Sequence, residues 1–475
     1  MLHLQCNPLN FQSLHIVSSP RLTIINLTFM RILNYALRCF IVVILLAATG
    51  CKKDTDDPNN STIGNSDTTV SIEGTIYWAS GDLKIHALNL KTNKYMESPA
   101  VQFTSGNNYY APLAYDSGLI YTAGRYGTSC VDAATGAIVW ERRVASIAFS
   151  ATIPVTRNSV VISGNLAYAI GYTGDNGNRT LYAIDKRSGI IKWQKTTTGI
   201  GDFSVMTTPV INGDQIIIPG NDRFDGGLDQ NRFICLNKNT GTVIWDKTFN
   251  AKFGSNFSVK NNLLYAYTSD TVGVMAINTT DGAQKWKTLI PASGVSNEKF
   301  IFADNNLVVH TGNWGSNTYP NYYYYLDYNS GLIKGSLNEV NTLFRSWIKT
   351  DLNYIANTES KLIAFDLKNN SVQWQVKEPD LLDQDTIPAA STYGVSELLN
   401  YNDYLLQFAV WLNPNLPVAD KVVIKTIYVT DIKTGKTVQR INLPKDLAVS
   451  YPVFGFILVN QNKAYYTYNS GNVKQ

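Results

Sequence analysis

Catalysis and metal binding need nucleophiles, bases or ligands that can converge, and this chain supplies few. Of its four histidines only His86 and His310 lie beyond residue 51, and beyond Cys51 only Cys130 and Cys235 remain of its five cysteines. His86 and His310 fall in different, distant segments, so a His-based metal site or a Ser–His–Asp triad is poorly supplied. No G-x-S-x-G, H-E-x-x-H or G-x-x-x-x-G-K-[ST] segment occurs. The richest acidic run is Asn221-Asp222-Arg223-Phe224-Asp225-Gly226-Gly227-Leu228-Asp229. Asp222, Asp225 and Asp229 could bind Ca²⁺, but the spacing is not that of an EF-hand and the bidentate Glu is missing, so a solvated acidic loop is the plainer reading. The expectation is a chain without catalytic residues and without a cofactor.

The elements that would position a site are β in character. The 475 residues are 44% apolar and 12% aromatic, with 28 Tyr, and only 16% are charged, too few for a helical bundle or coiled coil. The formal charge is +4, and three of the arginines (Arg21, Arg31 and Arg38) precede residue 51 in a stretch with no acid. The remaining near-neutral body argues against a nucleic-acid partner.

Residues 1–50 read as an extension and an address. Basic residues between Arg31 and Arg38 precede the nine-residue apolar run Phe40–Ala48, which is too short to span a bilayer. Ala48-Thr49-Gly50-Cys51 follows. It resembles the lipobox of bacterial lipoproteins, in which the Cys thiol is acylated and becomes the new N-terminus. Met30 is the expected start, with 1–29 an upstream extension. Residues 51–69 are polar from Lys52 onward and read as a flexible tether.

From residue 70 to 475 the chain repeats. A short apolar strand ends in Asp or Asn, and a Gly or Asn follows four places later. The eight pairs are Asn89/Asn93, Asp132/Gly136, Asp185/Gly189, Asn237/Gly241, Asn278/Gly282, Asp327/Gly331, Asp366/Asn370 and Asp431/Gly435. Asp or Asn can bond the backbone two residues on, and Gly or Asn suits a positive φ, so each unit predicts a tight hairpin turn. Eight residues after the Asp/Asn stands a Trp in five copies: Trp140, Trp193, Trp245, Trp286 and Trp374. Such a side chain is expected to pack between neighbouring repeats. Glu97, Gly335 and Gln439 stand there in the others. A second polar turn between two apolar runs recurs eight times, from Asp116-Ser117-Gly118 to Asn460-Gln461-Asn462. Four strands per repeat and roughly 50 residues per repeat predict an all-β, eight-bladed propeller, with seven the alternative count. The C-terminal hairpin is expected to complete the first blade and close the ring, leaving Thr75–Ala79 surplus or in competition for the same place.

The A-[ILV]-[DN]-x-x-[TS]-G-x-x-x-W pattern resembles the PQQ-like β-propeller repeat. With the lipobox, the chain is similar to the lipid-anchored PQQ-like propellers of the bacterial envelope, which include a subunit of the outer-membrane β-barrel assembly machine. The resemblance implies a non-catalytic, outer-membrane, protein-binding scaffold on the periplasmic or cell-surface side, working as a monomer and held to the membrane by its lipid alone. PQQ-dependent dehydrogenases share the repeat, and often hold their cofactor over Ca²⁺ beside a disulfide between adjacent cysteines. Here no two cysteines are adjacent, and Cys130 and Cys235 occupy equivalent core positions of different repeats.

Propeller strands alternate in direction, so loops sort onto two faces. The tight turns take one. The long connections Gly171–Thr180, Gly220–Arg232, Thr311–Tyr322 and Trp411–Asp420 take the other, with the link Gln375–Tyr393. They carry Arg179, Arg223, Phe224, Arg232, Trp314, Tyr319, Tyr322 and Trp411, residue types enriched where proteins grip partners. An envelope protein is the expected partner. A surface glycan stacked on the loop aromatics is the alternative, and a PQQ-dependent dehydrogenase ranks behind both. In the run Tyr322–Tyr325, alternate tyrosines are expected to point outward.

Overall fold

The computed structural model describes residues 70–79, 84–101, 113–123, 127–143, 160–172, 179–197, 208–220, 230–291, 300–303, 305–311, 321–339, 344–349, 354–358, 361–366, 371–377, 392–395, 398–412, 422–443 and 455–467. Among them the regular elements are all strands, paired antiparallel throughout. The fold is an all-β propeller.

The second repeat shows the plan: Ala114–Asp116, Leu119–Ala123, Gly127–Asp132 and Ile138–Arg143 form one four-stranded sheet in chain order. The third, sixth and seventh repeats follow it. The fourth and fifth are fused. Val243–Lys260 is one 18-residue strand that is the outer strand of one repeat and the first strand of the next, giving a seven-stranded sheet. In the eighth, the first strand is broken into Thr392–Val395 and Leu399–Tyr401, which both pair with Tyr404–Leu412.

The first sheet joins both ends of the propeller. Its order is Lys94–Glu97, Ile85–Asn89, Thr75–Ala79, Phe456–Asn460 and Lys463–Tyr466. Thr75–Ala79 is therefore not surplus. It is the second strand of its blade, pairing Tyr77 with Ala87 on one side and with Ile457 on the other. The C-terminal hairpin contributes the inner strand and adds Lys463–Tyr466 as a fifth. Trp78 of this strand is buried, stacked on His86 and packed against Phe408 of the eighth blade.

Among the described residues, sheets are apolar on the faces that neighbouring blades cover. Ile76, Trp78 and Leu88 of the first blade pack with Leu406, Phe408 and Val429 of the eighth. Tyr77 and Ala87, on the other face, pack with Leu113, Ile120 and Val131 of the second. Further clusters join the second to the third, the third to the fourth, the fourth to the fifth, the fifth to the sixth and the seventh to the eighth. This also corrects the expectation for the tyrosine run. Tyr323 and Tyr324 are both buried and Tyr325 is half-buried, because a third strand is sandwiched between blades and has no outward face.

Candidate interaction faces

The turn units form one face, and their geometry is uniform. In the second, Asp132 Oδ1 accepts hydrogen bonds from the Ala134 and Thr135 amides (3.1 and 2.8 Å) and from the Thr135 hydroxyl (2.8 Å). Gly136 N–H donates to the Asp132 carbonyl at 2.9 Å, with φ at +75°. Asp185, Asp327 and Asp431 cap their turns in the same way. Asn89, with Asn93 at φ +53°, shows that the amide serves as well. The strands flanking the turns of the second to eighth repeats carry a bulge, as where Cys130 pairs Trp140 but Val131 pairs Ile138, whereas the first pairs Asn89 with Lys94 in unbroken register.

The Trp of each unit crosses to the next blade. Trp140 Nε1 donates to the Lys186 carbonyl (3.0 Å), Trp193 to Lys238 (3.0 Å), Trp245 to Thr279 (2.6 Å), Trp286 to Tyr328 (3.3 Å) and Trp374 to Ile432 (2.9 Å). Every acceptor is the residue just after the Asp/Asn cap. Sequence reading missed a second donor: Tyr121, Tyr168 and Tyr265 hydroxyls reach the same carbonyls of Lys186, Lys238 and Tyr328 (3.2, 3.0 and 3.0 Å). Tyr77 does the same to Ala133 at 3.0 Å. The signal was diluted because these tyrosines stand before connections of unequal length, so they keep no fixed distance from the cap.

Lys186 adds a buried ion pair to this junction. Its Nζ lies 2.6 Å from Asp116 of the preceding blade, with the two side chains 13% and 8% exposed. On the same face an open groove of about 500 Å³ is lined by Asn261, Asn262, Asn278, Thr280, Gln284 and Lys285. Its amides are largely used inward: Asn212 Nδ2 donates to Asn262 Oδ1 (3.0 Å), and Asn261 Nδ2 to the Tyr328 hydroxyl (3.0 Å).

The long connections leave from the opposite ends of the second and third strands. Arg179 opens the strand Arg179–Asp185, where its backbone pairs Tyr172 and Thr197. Tyr322 pairs Thr311 and Asn338, and Trp411 pairs Tyr393 and Val423. Arg232 is held by its own sheet: its guanidinium grips the Asp246 carboxylate with two bonds (2.6 and 2.5 Å). These four therefore stand at connection ends on one face. Arg223, Phe224, Trp314 and Tyr319 lie outside the described residues, as do Asp222, Asp225, Asp229 and Cys51.

The groups most able to do chemistry are built into the core. His86 is stacked on Trp78, with ring centroids 5.3 Å apart, and its Nδ1 meets the Tyr95 hydroxyl at 2.6 Å. His310 is buried and stacked on Tyr323 at 4.8 Å. Cys130 and Cys235 are free buried thiols on the second and fourth blades, each pushed up to about 12 by burial. Each lies directly across from a Trp, as do Ala183, Ala276 and Ala364. The small residue makes room for the indole. Where Gly335 replaces Trp, the residue across is Tyr325. Among the described residues, no group of three or more His, Cys, Asp or Glu side chains is arranged to hold a metal ion. The two thiols are not an adjacent pair, so the described part of the chain does not offer the disulfide-and-carboxylate cradle of a quinone cofactor.

A family model described as outer membrane protein assembly factor BamB matches residues 67–228 and 221–317. The outer membrane protein assembly factor BamB of Yersinia pestis is 25% identical over 242 residues, which are 50% of this chain and 52% of the relative. That of Escherichia coli K12 is 26% identical over 182 residues, 37% of this chain and 40% of the relative. The chain thus spans about half the length, or less, of these relatives. Among solved structures, a quinohemoprotein alcohol dehydrogenase from Pseudomonas putida HK5 superposes with a TM-score of 0.54 at 12% identity, covering 76% of this chain and 70% of that one. That likeness is one of fold alone.

Proposed function

The chain belongs to the family described as outer membrane protein assembly factor BamB, and from that premise we propose that it is a non-catalytic, lipid-anchored scaffold of the outer membrane that binds an envelope protein during outer-membrane protein assembly. The observation that carries this reading is the division of labour between the two faces. On the turn face, the polar groups that could meet a ligand are largely used within the ring: caps bond their own turns, and carbonyls accept Trp and Tyr donors from the neighbouring blade. On the other face, Arg179, Tyr322 and Trp411 stand at the mouths of long connections that carry further Arg and aromatic residues. A rigid ring that presents variable connections on one side is suited to holding a partner. The burial of His86, His310, Cys130 and Cys235 supports a binding role over a chemical one.

The test is purification from native membranes. The chain should carry an acyl group on Cys51 and bring an outer-membrane assembly protein with it. Replacing Arg223 and Phe224 by Ser should release that protein and leave the acyl group in place. An unmodified Cys51, or a chain that emerges without an assembly protein, would contradict the reading.

A further inference from the structure

The residue just before the turn cap is apolar and buried in the first seven blades, from Leu88 before Asn89 to Phe365 before Asp366. In the eighth it is Thr430, 0% exposed. Its partner on the outer strand is Thr437, where the second, third, fourth, sixth and seventh blades have Ile or Val. Its partner on the inner side is Leu405, which in turn pairs Asn400. In the second, third, fourth and sixth blades the place of Asn400 is taken by Tyr115, Ile162, Ile211 and Phe302. Two residues beyond Leu405 stands Gln407, also 0% exposed, at the place of Ala169, Ile218, Ala266 and Val309 in the third to sixth blades. Positions that are mostly apolar around the ring thus carry four polar side chains in one blade.

All four face the seventh blade. Leu405 packs with Ile355, Leu362 and Ala364 of that blade. Thr430, Thr437 and Asn400 lie in the same cross-strand row as Leu405, and Gln407 is two residues along from it, so strand alternation puts them on one face. The alternate residues Leu406 and Phe408 pack with the first blade instead. Gln407 Nε2 and Oε1, Thr430 Oγ1, Thr437 Oγ1 and Asn400 Oδ1 are all buried, and none meets a hydrogen-bonding partner. A polar atom so placed gives up water and gains nothing in return.

The ladder is interrupted beside them. Val395 pairs Ala409 and Leu399 pairs Leu406, so Gln407 and Phe408 fall between the two pieces of the first strand. The turn-face end of the seam is clasped. There Trp374 Nε1 donates to the Ile432 carbonyl at 2.9 Å, and the indole covers Gly435.

We propose that the seam between the seventh and eighth blades is a joint at which the ring opens. Held by the Trp374 clasp, it parts towards the long-connection face and exposes Gln407 and Thr430 to water. In the parted state the amide and the hydroxyls regain hydrogen bonds that the closed seam denies them. Opening is therefore easier here than at seams whose buried faces are apolar. The joint requires neither the anchor nor the partner.

Hydrogen exchange of the full chain, read by mass spectrometry where exchange follows the opening equilibrium, tests this. The strand Tyr404–Leu412 should be less protected than Gln215–Gly220, its counterpart in the fourth blade. Gln407→Met and Thr430→Val each keep the side-chain volume and remove unpartnered polar atoms, and either serves if the other does not fold. Each should slow exchange of Tyr404–Leu412 by about tenfold and leave Gln215–Gly220 unchanged. Equal protection of the two strands in the wild type would overturn the proposal. So would unchanged or faster exchange of Tyr404–Leu412 in a folded variant, because the replaced group would then be satisfied in the closed seam.

Discussion

The indole of Trp140 lies flat on Gly189 of the next blade, so close that a Cβ on that glycine would fall 2.7 Å from the ring. The same contact joins Trp193 to Gly241, Trp245 to Gly282, Trp286 to Gly331 and Trp374 to Gly435. The two turns that end in Asn rather than Gly, at Asn93 and Asn370, both follow blades without the Trp, where Gln439 and Gly335 stand. The glycine is thus needed twice, for a positive φ and for room beneath an indole.

Gly189→Ala should accordingly cost more than a φ penalty. Left-handed backbone at Ala costs about 1–2 kcal/mol, and overpacking adds about 1–3 kcal/mol. Urea denaturation should show a loss of about 2–5 kcal/mol. Asn93→Gly, with no indole above it, should change stability by less than about 1 kcal/mol. Equal effects at the two sites would show that the Trp contact is irrelevant.

The Lys186 carbonyl accepts from both Trp140 and Tyr121. Tyr121→Phe removes one donor while leaving the other, so it should cost about 0.5–1.5 kcal/mol. Tyr121→Phe in a Trp140→Phe background should cost more than in the wild type, because the buried carbonyl then has neither donor. A double-mutant cycle by urea denaturation reads the coupling, and strict additivity would refute a shared acceptor.

The ion pair of Asp116 and Lys186 is nearly out of water, whereas Lys433 and Asp403 are exposed. Asp116→Asn should destabilise by about 3 kcal/mol, since it leaves a buried ammonium without its counter-charge. Asp403→Asn should cost less than about 1 kcal/mol. Thermal melts of the two variants should separate clearly. Matching melts would mean that burial does not govern these pairs.

Acid should weaken the turns in a defined window. Lys334 beside Asp327, with the Ser330 and Asn329 amides, holds the Asp327 carboxyl down to about 2. Asp132 and Asp185 are also lowered, chiefly by bonds from Thr135 and Ser188. A carboxyl lowered in the folded state stabilises it above the unfolded value near 3.9, and that contribution disappears as pH falls towards 2. Asp327→Asn keeps the cap, as Asn89 does, and should flatten the fall in stability between about pH 4 and pH 2. An unchanged acid limb would show that Asp327 is not among the groups responsible.

Much of the propeller was legible because turn chemistry is local. An Asp, a Gly four residues later and a Trp four beyond that report one hairpin and one neighbour each, and every described copy folds accordingly. The place of Thr75–Ala79 was not legible, since its partners Ile85–Asn89 and Phe456–Asn460 come from opposite ends of the chain and only long-range pairing assigns them. The fusion of two blades through Val243–Lys260 was also hidden: Phe249, Phe253 and Phe257 cluster with Phe233 of the neighbouring strand, a contact that no local turn motif reports. For the candidate contact residues, the sequence indicated a face rather than a site. Arg232 belongs to that face, yet its guanidinium is engaged by Asp246, a pairing across two strands that no local pattern announces.

The most direct test of the scaffold account is photocrosslinking in living cells from position 411 on the long-connection face and from position 314 in the sequence between Thr311 and Asn321, with Thr280 on the turn face as the contrast. The account predicts that 314 and 411 trap the same envelope protein and that 280 traps none. No adduct from either long-connection position, or a protein partner trapped from 280 alone, would contradict it.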